Sequence, residues 1–189
     1  MRLSSLSYYA DYYLSLALVM GLAGSTLAAG TWIECAEWLL SACLGVAAWT
    51  LIEYLIHRFM YHHVRFFRSF HDAHHAEPTA HIGAPPVIGI VLILAVCFLP
   101  IAATRFVFAS GLTSGMLIGY IAYMLAHHAA HFWQLSTGSW LNRLGRHHLL
   151  HHYQSKECNF GITTSFWDKV FGTAFPVSRP SLRQRSAGP

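Results

Sequence analysis

The sequence predicts an all-α integral membrane protein, with four transmembrane helices and a cytoplasmic helical cap. Three observations predict it. Of the 189 residues, 54% are hydrophobic and 11% charged, and the mean hydropathy is +0.40, whereas soluble domains carry roughly 25% charged residues. Four stretches free of charge span residues 12–33, 38–52, 82–104 and 106–126, and about 20 apolar residues cross a bilayer as a helix. Finally, the basic residues sort by side. With the second and fourth helices ending near His57 and His127, Arg2, Arg58, Arg65, Arg68, Arg143, Arg146, Lys156, Lys169, Arg179, Arg183 and Arg185 fall together, and Arg105 stands alone opposite.

Taken in order, the first, third and fourth stretches are long enough by themselves. The second reaches a full crossing if Glu37 and Glu53 mark its ends, where a carboxylate meets headgroups or a polar pocket. A cleaved signal peptide is the rival for the first stretch, and its length and weak leading charge argue against that. The basic asymmetry places both termini and the cap in the cytoplasm. It also reads the pI of about 9.0 as a topology signal, not as a nucleic-acid footprint. Residues 63–76 and 140–154 are too polar to cross but have helical histidine spacing, so they are expected as short helices against the membrane-helix ends. Residues 157–173 mix Gly, aromatic and β-branched types and are expected to pack irregularly under this cap. Residues 1–177 form one domain on this reading, and residues 178–189 a disordered basic tail. The four cysteines suggest no disulfide framework.

All 14 histidines lie between His57 and His152. Each half of the chain repeats one plan: a helical hairpin, two histidines at the end of its second helix, then a His-x-x-His-His segment. These are His57 and His62 with His71, His74 and His75, then His127 and His131 with His148, His151 and His152. Positions i, i+3 and i+4 share a helix face, so each triplet is expected to aim three rings at one point. His57 and His62, five apart, diverge on a regular α-helix, so the helix ends between them or they serve different ions. Ten imidazoles exceed the needs of one ion and suit two, and ligand type does not choose among zinc, copper, iron and nickel. Glu53, Asp72 and Asp168, with Asn159 beside them, are expected to hold ligand N–H groups from behind. His63, His81, His128 and His147 fall outside the ligand spacing and read as polar packing residues.

At EYLIHRFMYH (53–62), HDAHH (71–75), HLLHHY (148–153), NFG (159–161) and FWDKVFGT (166–173), with the His127–His131 pair, the chain resembles the fatty acid hydroxylase and sterol desaturase superfamily. The resemblance is closest to the fatty acid 2-hydroxylase branch. It implies two iron ions on the ten histidines (zinc could replace them in a purified protein), O₂ as co-substrate, and hydroxylation of an aliphatic C–H bond on a lipid acyl chain. Separately, the compact chain and the absence of a retrieval signal point to a bacterial inner-membrane location. Relatives of this type often carry a fused haem domain for which these 189 residues leave no room, so a separate electron-donor protein is expected. Within the superfamily, desaturation or a sterol or carotenoid substrate is the alternative outcome. A zinc-binding membrane hydrolase or transporter is the rival from another class. Transporters hold ionisable groups near the bilayer midplane, and here the cores of the four stretches have none.

Overall fold

The computed structural model describes residues 2–28, 30–83 and 85–176, and the expected tail at 178–189 lies outside them. Helix α1 (Ser5–Leu27) opens with Ser4 accepting a hydrogen bond from the Ser7 N–H. It begins seven residues before the charge-free stretch because Asp11 is buried inside it, where the carboxylate accepts hydrogen bonds from the Tyr120 hydroxyl and the Val87 N–H, each at 2.7 Å. Helix α2 (Trp32–Tyr61) starts on a reciprocal cap in which Thr31 and Glu34 satisfy each other's backbone N–H. Its last turn, Ile56–Tyr61, is π-helical.

Helix α3 (Arg65–Ala76) follows at once. Helix α4 (Ile88–Ala102) starts later than hydropathy alone suggests. Pro85 and Pro86 precede it, and Val87 stands in the left-handed region at φ 63°, a conformation rare for a β-branched residue. Helices α5 (Phe106–Phe132), α6 (Trp140–Tyr153) and the short α7 (Phe166–Val170) complete the chain. Helices α3 and α6 fall on the segments expected at 63–76 and 140–154. Among the described residues there is no strand, only an isolated bridge between Arg2 and Ile82.

Two helices, α2 with 30 residues and α5 with 27, are long and apolar enough to cross a bilayer. They are also the pair packed most intimately. Gly111, Gly115 and Gly119 recur every fourth residue along one face of α5. A Cβ at Gly115 would lie 2.0 Å from the Ala42 carbonyl oxygen, and one at Gly119 2.5 Å from the Trp49 side chain. Small residues at this spacing let two helix backbones approach where lipid removes the hydrophobic drive to associate. Trp49, Ile90, Ile93, Met116 and Leu117 form the adjoining core from α2, α4 and α5. This frame fixes the ends of α2 and α5 side by side, with α3 and α6 laid over them.

Candidate metal centre

The π-turn of α2 answers the question left by the spacing of His57 and His62. Hydrogen bonding from i to i+5 turns residues five apart toward one side, so neither expected alternative holds: the helix continues and the two rings share one cluster, with centroids 5.5 Å apart. That cluster is His57, His62, His71 and His151. The Nε2 atoms of His57 and His71 lie 3.2 Å apart, those of His57 and His151 3.1 Å, of His62 and His151 3.3 Å, and of His62 and His71 3.1 Å. A point enclosed by four nitrogens at such spacings is about 2 Å from each, the length of an imidazole–metal bond.

The second cluster is His74, His127, His131, His148 and His152. Its His131 and His148 Nε2 atoms are 3.0 Å apart. His75 stands between the two groups, its Nε2 3.0 Å from that of His71 and its ring stacked at 4.0 Å on His152. The ten sequence-predicted rings are thus gathered, but each triplet is divided, not aimed at one point. Residues three or four apart on a helix share a face yet are separated by about 4.5–6 Å along its axis, enough to reach two centres. The first half of the chain supplies His57, His62 and His71 to the four-membered cluster, and the second half supplies His127, His131, His148 and His152 to the other. The middle histidine of each triplet crosses over: His74 joins the second-half cluster, and His151 the first-half one.

Protonation decides what these contacts are. The His57 Nδ1–H donates to the Phe160 carbonyl oxygen at 2.6 Å, and the His151 Nδ1–H to that of Cys158 at 2.7 Å. A neutral imidazole has one N–H, so both Nε2 atoms then present lone pairs, 3.1 Å from each other. Burial holds the His62 and His151 imidazoles down to about 4 and those of His74 and His75 to about 3. At neutral pH the His57 and His151 lone pairs therefore face each other, an arrangement that a shared cation would satisfy. Both nitrogens of His74 and His152, and the Nδ1 atoms of His75 and His148, are buried with no hydrogen-bond partner. The donor set, its spacing and its unpartnered nitrogens fit two metal ions of the kind imidazole binds.

The carboxylates sit differently from the expectation that they would hold ligand N–H groups. Glu53 accepts the Ile162 and Thr163 N–H groups at 2.9 and 2.8 Å and ties the tail segment to α2. Asp168, fully buried, accepts the N–H groups of Phe160 and Gly161, the Thr173 hydroxyl and His147 Nε2–H. Burial pushes its carboxyl up, but these bonds outweigh that and hold it below its usual range. Asn159, at φ 59°, donates to the His147 carbonyl oxygen and accepts from the Phe175 N–H. Asp72 is half exposed between Arg68 and Lys156. Ring N–H groups are held instead by the Phe160 and Cys158 carbonyls. A backbone acceptor leaves no mark in side-chain spacing, although the NFG and FWDKVFGT motifs did flag the segment that carries it. The four histidines outside the ligand spacing have other partners: His63 faces the Arg58 carbonyl oxygen, His81 stacks on Tyr8 at 4.2 Å, the Tyr8 hydroxyl meets His128, and His147 meets Asp168.

Below the histidines, a cavity of about 190 Å³ runs between α1, α2, α4 and α5 and reaches His127. Tyr12, Trp49, Ile56, Met60, Ile88 and Leu92 are among its walls. A smaller hollow of about 70 Å³ adjoins it, sharing Tyr61, Phe67 and Tyr123, and is lined by His57, His71, His74, His127 and His148.

An all-helical, membrane-associated chain with two interleaved polyhistidine clusters at the mouth of a largely apolar cavity belongs to the class of histidine-rich membrane proteins whose clusters could hold metal ions. Within that class the chain belongs to the fatty acid hydroxylase family, whose pattern its residues 42–173 match. Among curated relatives, human fatty acid 2-hydroxylase is 35% identical over 156 residues, covering 74% of this chain and 40% of that protein. The ceramide very long chain fatty acid hydroxylase of Saccharomyces cerevisiae is 34% identical, covering 76% and 40%. A dihydroceramide fatty acyl 2-hydroxylase of Arabidopsis thaliana is 32% identical, covering 71% and 60%. A solved structure described as full-length scs7p, with only the hydroxylase domain visible, has a TM-score of 0.76 at 27% identity over 92% of this chain and 69% of that one. The chain thus spans about 40% of the length of the human and yeast relatives, and its likeness to them places it beside the 2-hydroxylase branch.

Proposed function

We propose that the chain is an O₂-dependent di-iron oxygenase that hydroxylates a lipid acyl chain, at carbon 2 as the names of its relatives suggest. The observation that carries this reading is the gathering of ten imidazoles, five of them buried, with the His57 and His151 lone pairs face to face, directly above a largely apolar cavity. His57, His62, His71 and His151 would hold one ion, His74, His127, His131, His148 and His152 the other, with His75 between them. The bound iron pair would supply O₂ activation and insertion of one oxygen atom into a C–H bond, with two electrons and two protons reducing the second atom to water.

The chain's own residues do the rest. Trp49, Ile56, Met60 and Leu92 line a slot that suits a saturated chain entering from the bilayer between helices, and they exclude water from it. Asp11 binds α5 and the turn before α4 into one wall through Tyr120 and Val87. Tyr123, stacked on His127 and lining both hollows, limits which methylene comes nearest the histidines. The names of the relatives support a fatty acid, free or in ceramide linkage, as the substrate class. With α1 and α4 joining α2 and α5, the protein crosses the membrane four times, the basic residues and the cap face the cytoplasm of a bacterial inner membrane, and a separate redox protein delivers the electrons.

Lipid mass spectrometry on cells expressing the wild-type chain or the His148→Ala, His151→Ala double variant, grown under ¹⁸O₂, tests this. The expected result is acyl chains heavier by one labelled oxygen with the wild type alone. Chains lighter by two hydrogens would make the protein a desaturase, and identical lipids in both strains would refute the oxygenase reading.

A further inference from the structure

The two clusters are supported unequally. Residues 158–175 form a strap that crosses under the four-membered cluster and touches it through two backbone carbonyls, Phe160 to His57 and Cys158 to His151. The strap is itself fixed at several points. Asp168 gathers Phe160, Gly161, Thr173 and His147. The Asn159 N–H donates to the Thr173 carbonyl oxygen at 2.8 Å, closing the loop on itself. The Tyr54 hydroxyl meets the Thr173 hydroxyl at 3.0 Å, and the Trp167 Nε1–H donates to Thr50 Oγ1 at 3.0 Å, which dock it on α2. Gly161 is required where the strap passes the aspartate, because a Cβ there would lie 2.1 Å from the Thr164 carbonyl oxygen.

Among the described residues no strap carbonyl meets a ring of the five-membered cluster. His74 and His152 leave both ring nitrogens, and His148 its Nδ1, without a hydrogen-bond partner, so no backbone acceptor fixes the tautomer of these three.

We infer that Asp168 is a positioning residue which, through the strap, pre-sets the four-histidine position, so that this position keeps its metal under conditions that empty the five-histidine position. A ring whose N–H is already held by an acceptor has its tautomer fixed and its other nitrogen made more basic, and loss of such outer partners weakens metal binding by about 10–100-fold. The inference rests on the reading of both clusters as metal positions.

The test uses the full chain purified in detergent, loaded with Zn²⁺ and dialysed against graded EDTA, with metal per chain measured by elemental mass spectrometry. Wild type is expected to fall from two ions to one and then to none, with midpoints at least tenfold apart in free chelator. Asp168→Asn should leave the first step where it is and bring the second down at least tenfold. His131→Ala should begin with one ion, released at the second wild-type midpoint. Thr173→Val, which removes one of the four groups held by Asp168, should move the second step in the same direction by less, and it replaces Asp168→Asn should that variant not fold. Two ions leaving wild type in a single step, or an aspartate or threonine variant that shifts the first step or neither, would overturn the inference alone. A wild-type chain that binds no metal would overturn it together with the di-iron reading.

Discussion

Replacement of Glu53 separates a carboxylate that anchors the strap from one that merely occupies a helix end. Glu53 is 3% exposed, and its Oε1 is the acceptor for two backbone donors, Ile162 N–H at 2.9 Å and Thr163 N–H at 2.8 Å. Glu53→Ala strands both donors in a buried site, at about 1–3 kcal/mol each, so the metal-free protein should lose about 2–6 kcal/mol. In a chain of this size 1 kcal/mol moves Tm by about 2–4 °C, which sets a lower bound of about 4 °C on the fall. Glu53→Gln retains a carbonyl oxygen where Oε1 stands and should cost less than about 1 kcal/mol. Thermal unfolding of the EDTA-stripped protein in detergent, followed by far-ultraviolet circular dichroism, reads both variants with the contribution of bound metal removed. Equal midpoints for the alanine and glutamine variants would refute the assignment, because the two differ chiefly in the acceptor offered to the strap.

Two further perturbations probe the frame and the cavity. Gly115→Leu must push α5 away from the Ala42 carbonyl, 2.0 Å from the new Cβ, and should yield little monodisperse protein by size-exclusion chromatography, whereas Gly24→Ala, with nothing within 4 Å, should behave as wild type. Tyr120→Phe removes the hydroxyl that Asp11 accepts at 2.7 Å in the cavity wall; in a hydroxylation assay with a saturated acyl substrate it should raise KM several-fold while changing kcat less, since the lost contact shapes the slot and touches no histidine.

The parts of the fold that were legible in the sequence are those governed by solvent preference. The apolar runs that became α2 and α5 and the polar, histidine-spaced runs that became α3 and α6 needed only hydropathy and the 3.6-residue period to be read. The ends were harder. Asp11 looked like a boundary because charge is costly in lipid, but a hydroxyl and an N–H from distant parts of the chain absorb it inside α1. The third apolar stretch lost its beginning to Pro85, Pro86 and the left-handed Val87. The helix end expected between His57 and His62 is a π-turn, which a period-based reading misses because it assumes the regular 3.6-residue geometry throughout.

For the candidate site, the ten histidines were legible as a set, but their division between two clusters was not. Spacing within a helix says which rings share a face; the partner each ring meets depends on how α3 and α6 lie across the ends of α2 and α5, a relation that only packing supplies. The crossing of His74 and His151 follows from that arrangement and has a consequence for assembly. Neither cluster can be completed by one half of the chain, so each hairpin must be in place before either set of nitrogens closes. Metal binding would then stabilise the docking of the two halves as well as each site, since ions held only by the folded arrangement shift the equilibrium toward it. The strap adds a third element to the same closure: drawn from beyond both halves, it holds His57 of the first and His151 of the second with two carbonyls of one backbone, those of Phe160 and Cys158, at the point where the halves exchange histidines.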